Sequence, residues 1–104
     1  MEHRTNERLD IDLLANVSRN GRKLGVFKVK DIGNGGAALV DEAGELCLYD
    51  FIKVTLISPD KALKGSPPLY ALIVQNDGQC VGAMWAVGPV DIRYLLKRLL
   101  PLAA

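Results

Sequence analysis

The chain opens with a polar stretch of no apparent period and then falls into alternation. From Leu9 onward, Leu9, Ile11, Leu13, Ala15 and Val17 are separated by Asp10, Asp12, Asn16 and Ser18. A period of two marks a strand with one face buried. Asn20-Gly21 follows, a dipeptide that suits the positive φ angles of a tight hairpin. A second strand is expected over 23–30, with Phe27 and Val29 on one face and Lys28 and Lys30 on the other. After a glycine-dense stretch at 31–36, apolar runs at 37–40, 46–49, 51–57, 70–75 and 80–87 predict further strands. Polar turns separate several of them, at 41–45 and at Asn76-Asp77-Gly78. Ser58 to Pro68 holds prolines, a glycine and lysines, and is expected to be an exposed loop.

Near the end the period changes. Ile92, Leu95, Leu96, Leu99 and Leu100 fall on one face of a helix over 91–100, with Arg93, Lys97 and Arg98 opposite. Asp91 is placed to cap it and Pro101 to stop it. The expected fold is mainly β: a small antiparallel barrel of six or seven strands with one C-terminal α-helix packed over an open end. Residues 1–8 are read as a flexible N-terminal arm, and 9–104 as the barrel with its helix.

Composition narrows the function. A chain of 104 residues with 49% hydrophobic content suits one domain with a modest core. Net charge is only +1, so neither DNA nor RNA is the expected partner. The charge is uneven, with +3 in residues 1–30 and −2 in the remainder. No apolar run approaches the ~20 residues that span a bilayer, and Met1-Glu2-His3-Arg4 starts no signal peptide. The expectation is therefore a cytoplasmic protein without membrane insertion. Cys47 and Cys80 both lie in apolar runs and are read as buried thiols, with a disulfide open to them only if their strands are neighbours.

Catalytic chemistry is scarce. His3 is the one histidine and sits in the arm, so neither histidine base catalysis nor a Cys-His or Ser-His-Asp set can be assembled. Two cysteines and one histidine make no convincing zinc site. Gly33, Gly35 and Gly36 do not form a dinucleotide or phosphate-loop motif, because the stretch leads into a strand. No enzyme activity and no cofactor are expected.

Two signals remain: Arg4-Thr5-Asn6-Glu7-Arg8, and Asp31-Ile32-Gly33-Asn34-Gly35-Gly36. Arg4-x-x-x-Arg8, then a strand, a hairpin and this glycine loop, resembles the PilZ domain, a bacterial receptor for cyclic di-GMP. That family carries R-x-x-x-R at the head of its barrel and D/N-x-S-x-x-G after the second strand. Val81-Gly82-Ala83-Met84-Trp85 is similar to its late V-G-hydrophobic-x-aromatic strand. The resemblance covers almost the whole chain and implies a PilZ-type barrel.

The resemblance implies that cyclic di-GMP is bound by Arg4, Arg8, Asp31, Gly33, Asn34, Gly35 and Gly36. Physical chemistry agrees with those roles. An arginine fork takes guanine O6/N7 or a phosphate bidentately, better than lysine does. The Asp31 carboxylate accepts from guanine N1 and N2, and Gly36 permits close approach or positive φ. Gly33 stands where the family has serine; losing one neutral hydrogen bond, about 0.5–1.5 kcal/mol, implies binding weakened by about tenfold. Trp85 is read as core, with stacking on a guanine ring as the alternative.

Two functions from different classes follow. One is a cyclic di-GMP receptor that acts as an adaptor toward an effector protein, as a monomer or weak dimer, in control of motility, attachment, biofilm or exopolysaccharide. The other is a PilZ-like protein-interaction scaffold that has lost or weakened nucleotide binding.

Overall fold

The structure is a computed structural model that describes residues 13–57, 66–86 and 94. Arg4, Arg8 and the first half of the expected first strand lie outside the described residues. So does the expected helix over 91–100, of which only the exposed Tyr94 is described.

Six strands are present among the described residues: β1 (Leu14–Arg19), β2 (Arg22–Ile32), β3 (Gly36–Val40), β4 (Phe51–Ile57), β5 (Leu69–Asn76) and β6 (Cys80–Trp85). They close into an antiparallel barrel in the order β1-β2-β3-β6-β5-β4, with β4 returning to pair with β1. Each of these strands therefore has a partner strand on both sides for at least part of its length. The alternation seen in the sequence becomes inside and outside. Ala15, Val17, Phe27, Val29, Leu39, Ile52, Val54, Leu56, Ile73 and Val81 point into the core, and the residues between them face outward. Asn20 and Gly21 have φ of 54° and 77°, the mirror-image turn that suits the twist of a two-residue hairpin.

The apolar run at 46–49 does not form the expected strand. Two carboxylates shape it into a loop instead. Asp41, only 3% exposed, accepts the backbone N–H of Glu45 at 3.0 Å and of Leu46 at 2.9 Å. Asp50 accepts the N–H of Cys47 at 2.8 Å and binds the Arg19 guanidinium at 2.5 Å. Tyr49 takes a φ of 71°, which no strand residue adopts. Of the run, only Leu46 enters the core; Leu48 and Tyr49 are exposed.

This also corrects the reading of the cysteines. Cys47 is exposed in the loop, Cys80 is half-buried at the outward start of β6, and both are free thiols. The expected exposed loop over 58–68 is described only from residue 66. There Ser66 is buried against β4, its Oγ accepting the Leu56 N–H at 2.9 Å and its own N–H donating to Leu56 O at 2.8 Å.

Candidate functional site

The glycine-dense stretch is the turn between β2 and β3, and its shape starts with a β-bulge. Val29 pairs with Leu39, but the next pair is Asp31 with Ala38, so Lys30 is an extra residue on β2. A bulge of this kind shifts the phase of everything after it. Without it Asp31 would follow Phe27 and Val29 into the core; with it, Ile32 is buried and Asp31 stays on the outer side beside Lys30.

The turn itself is tight. Gly33 N–H donates to Gly36 O at 2.8 Å. Two further bonds come from β6: the Trp85 indole N–H donates to Gly33 O at 3.0 Å, and the Trp85 backbone N–H to Gly35 O at 3.0 Å. Gly33 is buried, with both its main-chain polar groups engaged inside the protein, whereas Asn34 and Gly35 are exposed. Trp85 is only 3% exposed, so its role is that of a core anchor beneath the turn. The alternative of a ring open for stacking on a base is set aside by that burial.

Gly36 has a different reason from the one its sequence suggested. It lies in β3 without positive φ, and a Cβ there would sit 2.0 Å from the carbonyl oxygen of Ala83. The glycine lets β3 approach β6, and this close approach is internal to the fold.

A second bulge mirrors the first. On β5, Ile73 pairs with Ala83 and Gln75 with Gly82, leaving Val74 as the extra residue, and Val74 and Gln75 are both exposed. Across the outer face, Asp31 pairs with Ala38, Ala38 with Gly82, and Gly82 with Gln75. One cross-strand row therefore has the two smallest side-chain types in its centre and a polar residue from a bulge at each end. The result is a groove with a low floor and raised sides.

Two open hollows lie along this groove, of about 300 Å³ toward the Gly33–Gly36 turn and about 230 Å³ toward Lys30, Asp31 and Asp77. Ala38, Gln75 and Gly82 line both. Asp77 belongs to the β5–β6 turn. Its carboxylate accepts the N–H of Cys80 at 2.8 Å and of Gln79 at 3.0 Å, and these bonds, with Lys30 nearby, hold its carboxyl below the usual range. Among the described residues no group of three or more His, Cys, Asp or Glu side chains could hold a metal ion.

The structure therefore brings Asp31, Gly35 and Gly36 to one face, puts Gly33 beneath it, and leaves Arg4 and Arg8 outside the described residues. Lys30, Val74 and Gln75 were missed by sequence reasoning. Their signal is a slip in the alternation: the inward residues run 27, 29, then 32, and an apolar strand ends on two outward residues, 74 and 75.

This order of strands closes a mainly β barrel. Among solved structures it is similar to the inhibitor of motility MotI/DgrA of Bacillus subtilis, with a TM-score of 0.64 at 14% sequence identity. The match covers 99% of this chain and 52% of that one, so the chain spans about half its length. No family model matches the sequence, and neither does any curated protein.

Proposed function

We propose that this protein is a cyclic di-GMP receptor of the PilZ type that works as an adaptor and not as an enzyme. The observation that carries the reading is positional. Asp31 and the Gly33–Gly36 turn, the part of the motif that falls on described residues, stand at the head of an outer-face groove. Arg4 and Arg8 precede them in the order the family resemblance implies. The likeness in fold to a protein named as an inhibitor of motility supports the same reading.

In this mechanism Asp31 accepts the N1 and N2 hydrogens of a guanine, while the two arginines engage the O6/N7 edge or the phosphates. Binding orders the arm over the groove and changes the surface offered to an effector protein, so that second-messenger level is passed on to motility, attachment or exopolysaccharide secretion. The test is calorimetric titration with cyclic di-GMP of the wild type and of Arg8→Ala. Heat of binding that the substitution weakens by at least about tenfold is expected, since a charge-assisted bond contributes about 1.5–3 kcal/mol. A wild type that gives no heat at high micromolar ligand would sink the proposal.

The second reading, a scaffold acting by protein contact alone, draws on a separate observation. Phe51 pairs with Leu72, Leu72 with Met84, and Phe51 stacks on Tyr70 at 5.9 Å between ring centroids. Phe51, Tyr70, Val74 and Met84 are all exposed. Binding of an effector that is indifferent to nucleotide would favour it.

A further inference from the structure

We propose that the hollow beside the β1–β2 hairpin, with the apolar row next to it, is a docking site for a short acidic and apolar segment of a partner protein. The proposal goes beyond nucleotide binding and does not depend on it. Ser18, Asn20, Gly21, Phe51, Lys53 and Tyr70 line this hollow, which has a volume of about 310 Å³. None of them lines the two hollows beside Asp31 and the Gly33–Gly36 turn.

The register of three strands builds the hollow. Ser18 on β1 pairs with Lys53 on β4, and Lys53 with Tyr70 on β5, so the three stand in one outward row. Phe51, two residues before Lys53 on the same face, stacks on Tyr70 with the ring planes 10° apart. Stacking fixes both rings although each is exposed. The hairpin turn lines the other side and leaves a gap there. Gly21 carries no side chain, and a Cβ on it would meet nothing within 4 Å.

Two properties identify the occupant. The first is an unused cation. Lys53 is exposed and makes no ion pair or hydrogen bond with any described residue. The carboxylate next to Phe51, that of Asp50, is taken by Arg19. An open lysine flanked by the neutral polar groups of Ser18 and Asn20 matches a carboxylate.

The second property is the apolar row that continues from the hollow. Phe51 pairs with Leu72 and Leu72 with Met84, and Val74 is exposed beside them. Phe51, Tyr70, Val74 and Met84 are 54%, 41%, 44% and 49% exposed. At about 150–250 Å² for a whole aromatic side chain, they offer roughly 300–400 Å². Each member of a stable pair of folded proteins contributes about 800 Å², so the face is too small to hold a second copy of this chain. From Phe51 to Met84 the row spans two strand spacings, about 10 Å, which three extended residues cover. The fitting segment therefore has an acidic residue on Lys53, an aromatic ring in the hollow, and aliphatic side chains over Leu72 and Met84.

The test titrates the full chain with the peptide acetyl-Glu-Trp-Leu-Leu-amide and with its Gln counterpart, followed by amide-resolved NMR without nucleotide. Binding of about millimolar strength is expected, with shifts at Ser18, Gly21, Lys53, Tyr70 and Met84 and none at Asp31. The Gln peptide should bind about two- to fivefold more weakly, the effect of an exposed ion pair. Lys53→Gln should bind both peptides alike, and Phe51→Ala should bind neither. Both substituted side chains are exposed, and the amide spectrum of each variant checks that the barrel is kept. Equal affinity of the wild type for the two peptides, or no shifts at these residues at about 10 mM peptide, would overturn the proposal. So would a dimer through this face in a dilution series, or binding to phosphatidylglycerol vesicles that Phe51→Ala abolishes, because the face would then belong to a second copy or to a membrane.

Discussion

Two loops flank β3, and carboxylates enter their hydrogen bonding differently. The loop over 41–50 has main-chain bonds, among them Asp41 N–H to Gln79 O and Tyr49 N–H to Ile73 O at 2.7 Å each, and adds side-chain bonds to them. Asp41 and Asp50 accept backbone N–H groups within it, and Arg19 bonds both Asp50 and the carbonyl of Glu45. The turn over 33–36 is held by the Gly33–Gly36 main-chain bond and by two donors from Trp85, its backbone N–H and its indole N–H. The first loop spends its carboxylates on its own shape. The second takes its bonds from Trp85 beneath it, with Asp31 on the outer side of β2. A carboxylate's place in a turn says little about its role; what matters is whether the backbone around it depends on it.

The largest effect is expected at Gly36. Gly36→Ala would put a Cβ 2.0 Å from Ala83 O and force β3 from β6. A loss of about 3 kcal/mol or more in urea unfolding is expected, and wild-type stability would mean that the two strands are not so close. Next is Asp41→Ala, which strips the buried Leu46 N–H of its acceptor and frees that of Glu45. About 2–3 kcal/mol should be lost by the same measurement. Amide exchange should accelerate over 44–47 and not over 33–36.

Trp85→Phe is the reciprocal test. It keeps an aromatic ring but removes the donor to Gly33 O, costing about 1–2 kcal/mol. Faster exchange at Gly33 and Gly36 with the 41–50 loop unchanged is the expected pattern. The smallest effect is at Asp77. Its carboxyl titrates below the ordinary 3.8 because two backbone N–H groups favour the ionised form. Its contribution to stability is thus present above 3.8 and fades as pH falls through the lower folded value. A carbon-detected NMR titration should find that midpoint under 3.8; one at or above 3.8 would mean the turn bonds are not maintained.

Much of the barrel was legible in the sequence because a half-buried strand writes its orientation into alternate residues. The Asn20-Gly21 hairpin and the inward set on β4 follow directly. What escaped was of another kind. Leu46 to Tyr49 has the composition of a strand, yet Asp41 and Asp50, outside the run, bend it by hydrogen bonds that no local pattern records. The bulges at Lys30 and Val74 appear in sequence only as slips of phase, and their alignment into one row depends on pairing between strands distant in the chain. Gly36 was legible as important but not for its reason, since the obstructing carbonyl of Ala83 comes from β6.

The receptor reading puts a nucleotide at the Asp31–Gly36 side of β3. The direct measurement is an amide-resolved NMR titration of the full chain with cyclic di-GMP. Shifts are expected at Asp31, at Gly33–Gly36 and at Gly82, with 41–50 unmoved. Shifts confined to 41–50, or none at saturating ligand, would contradict it.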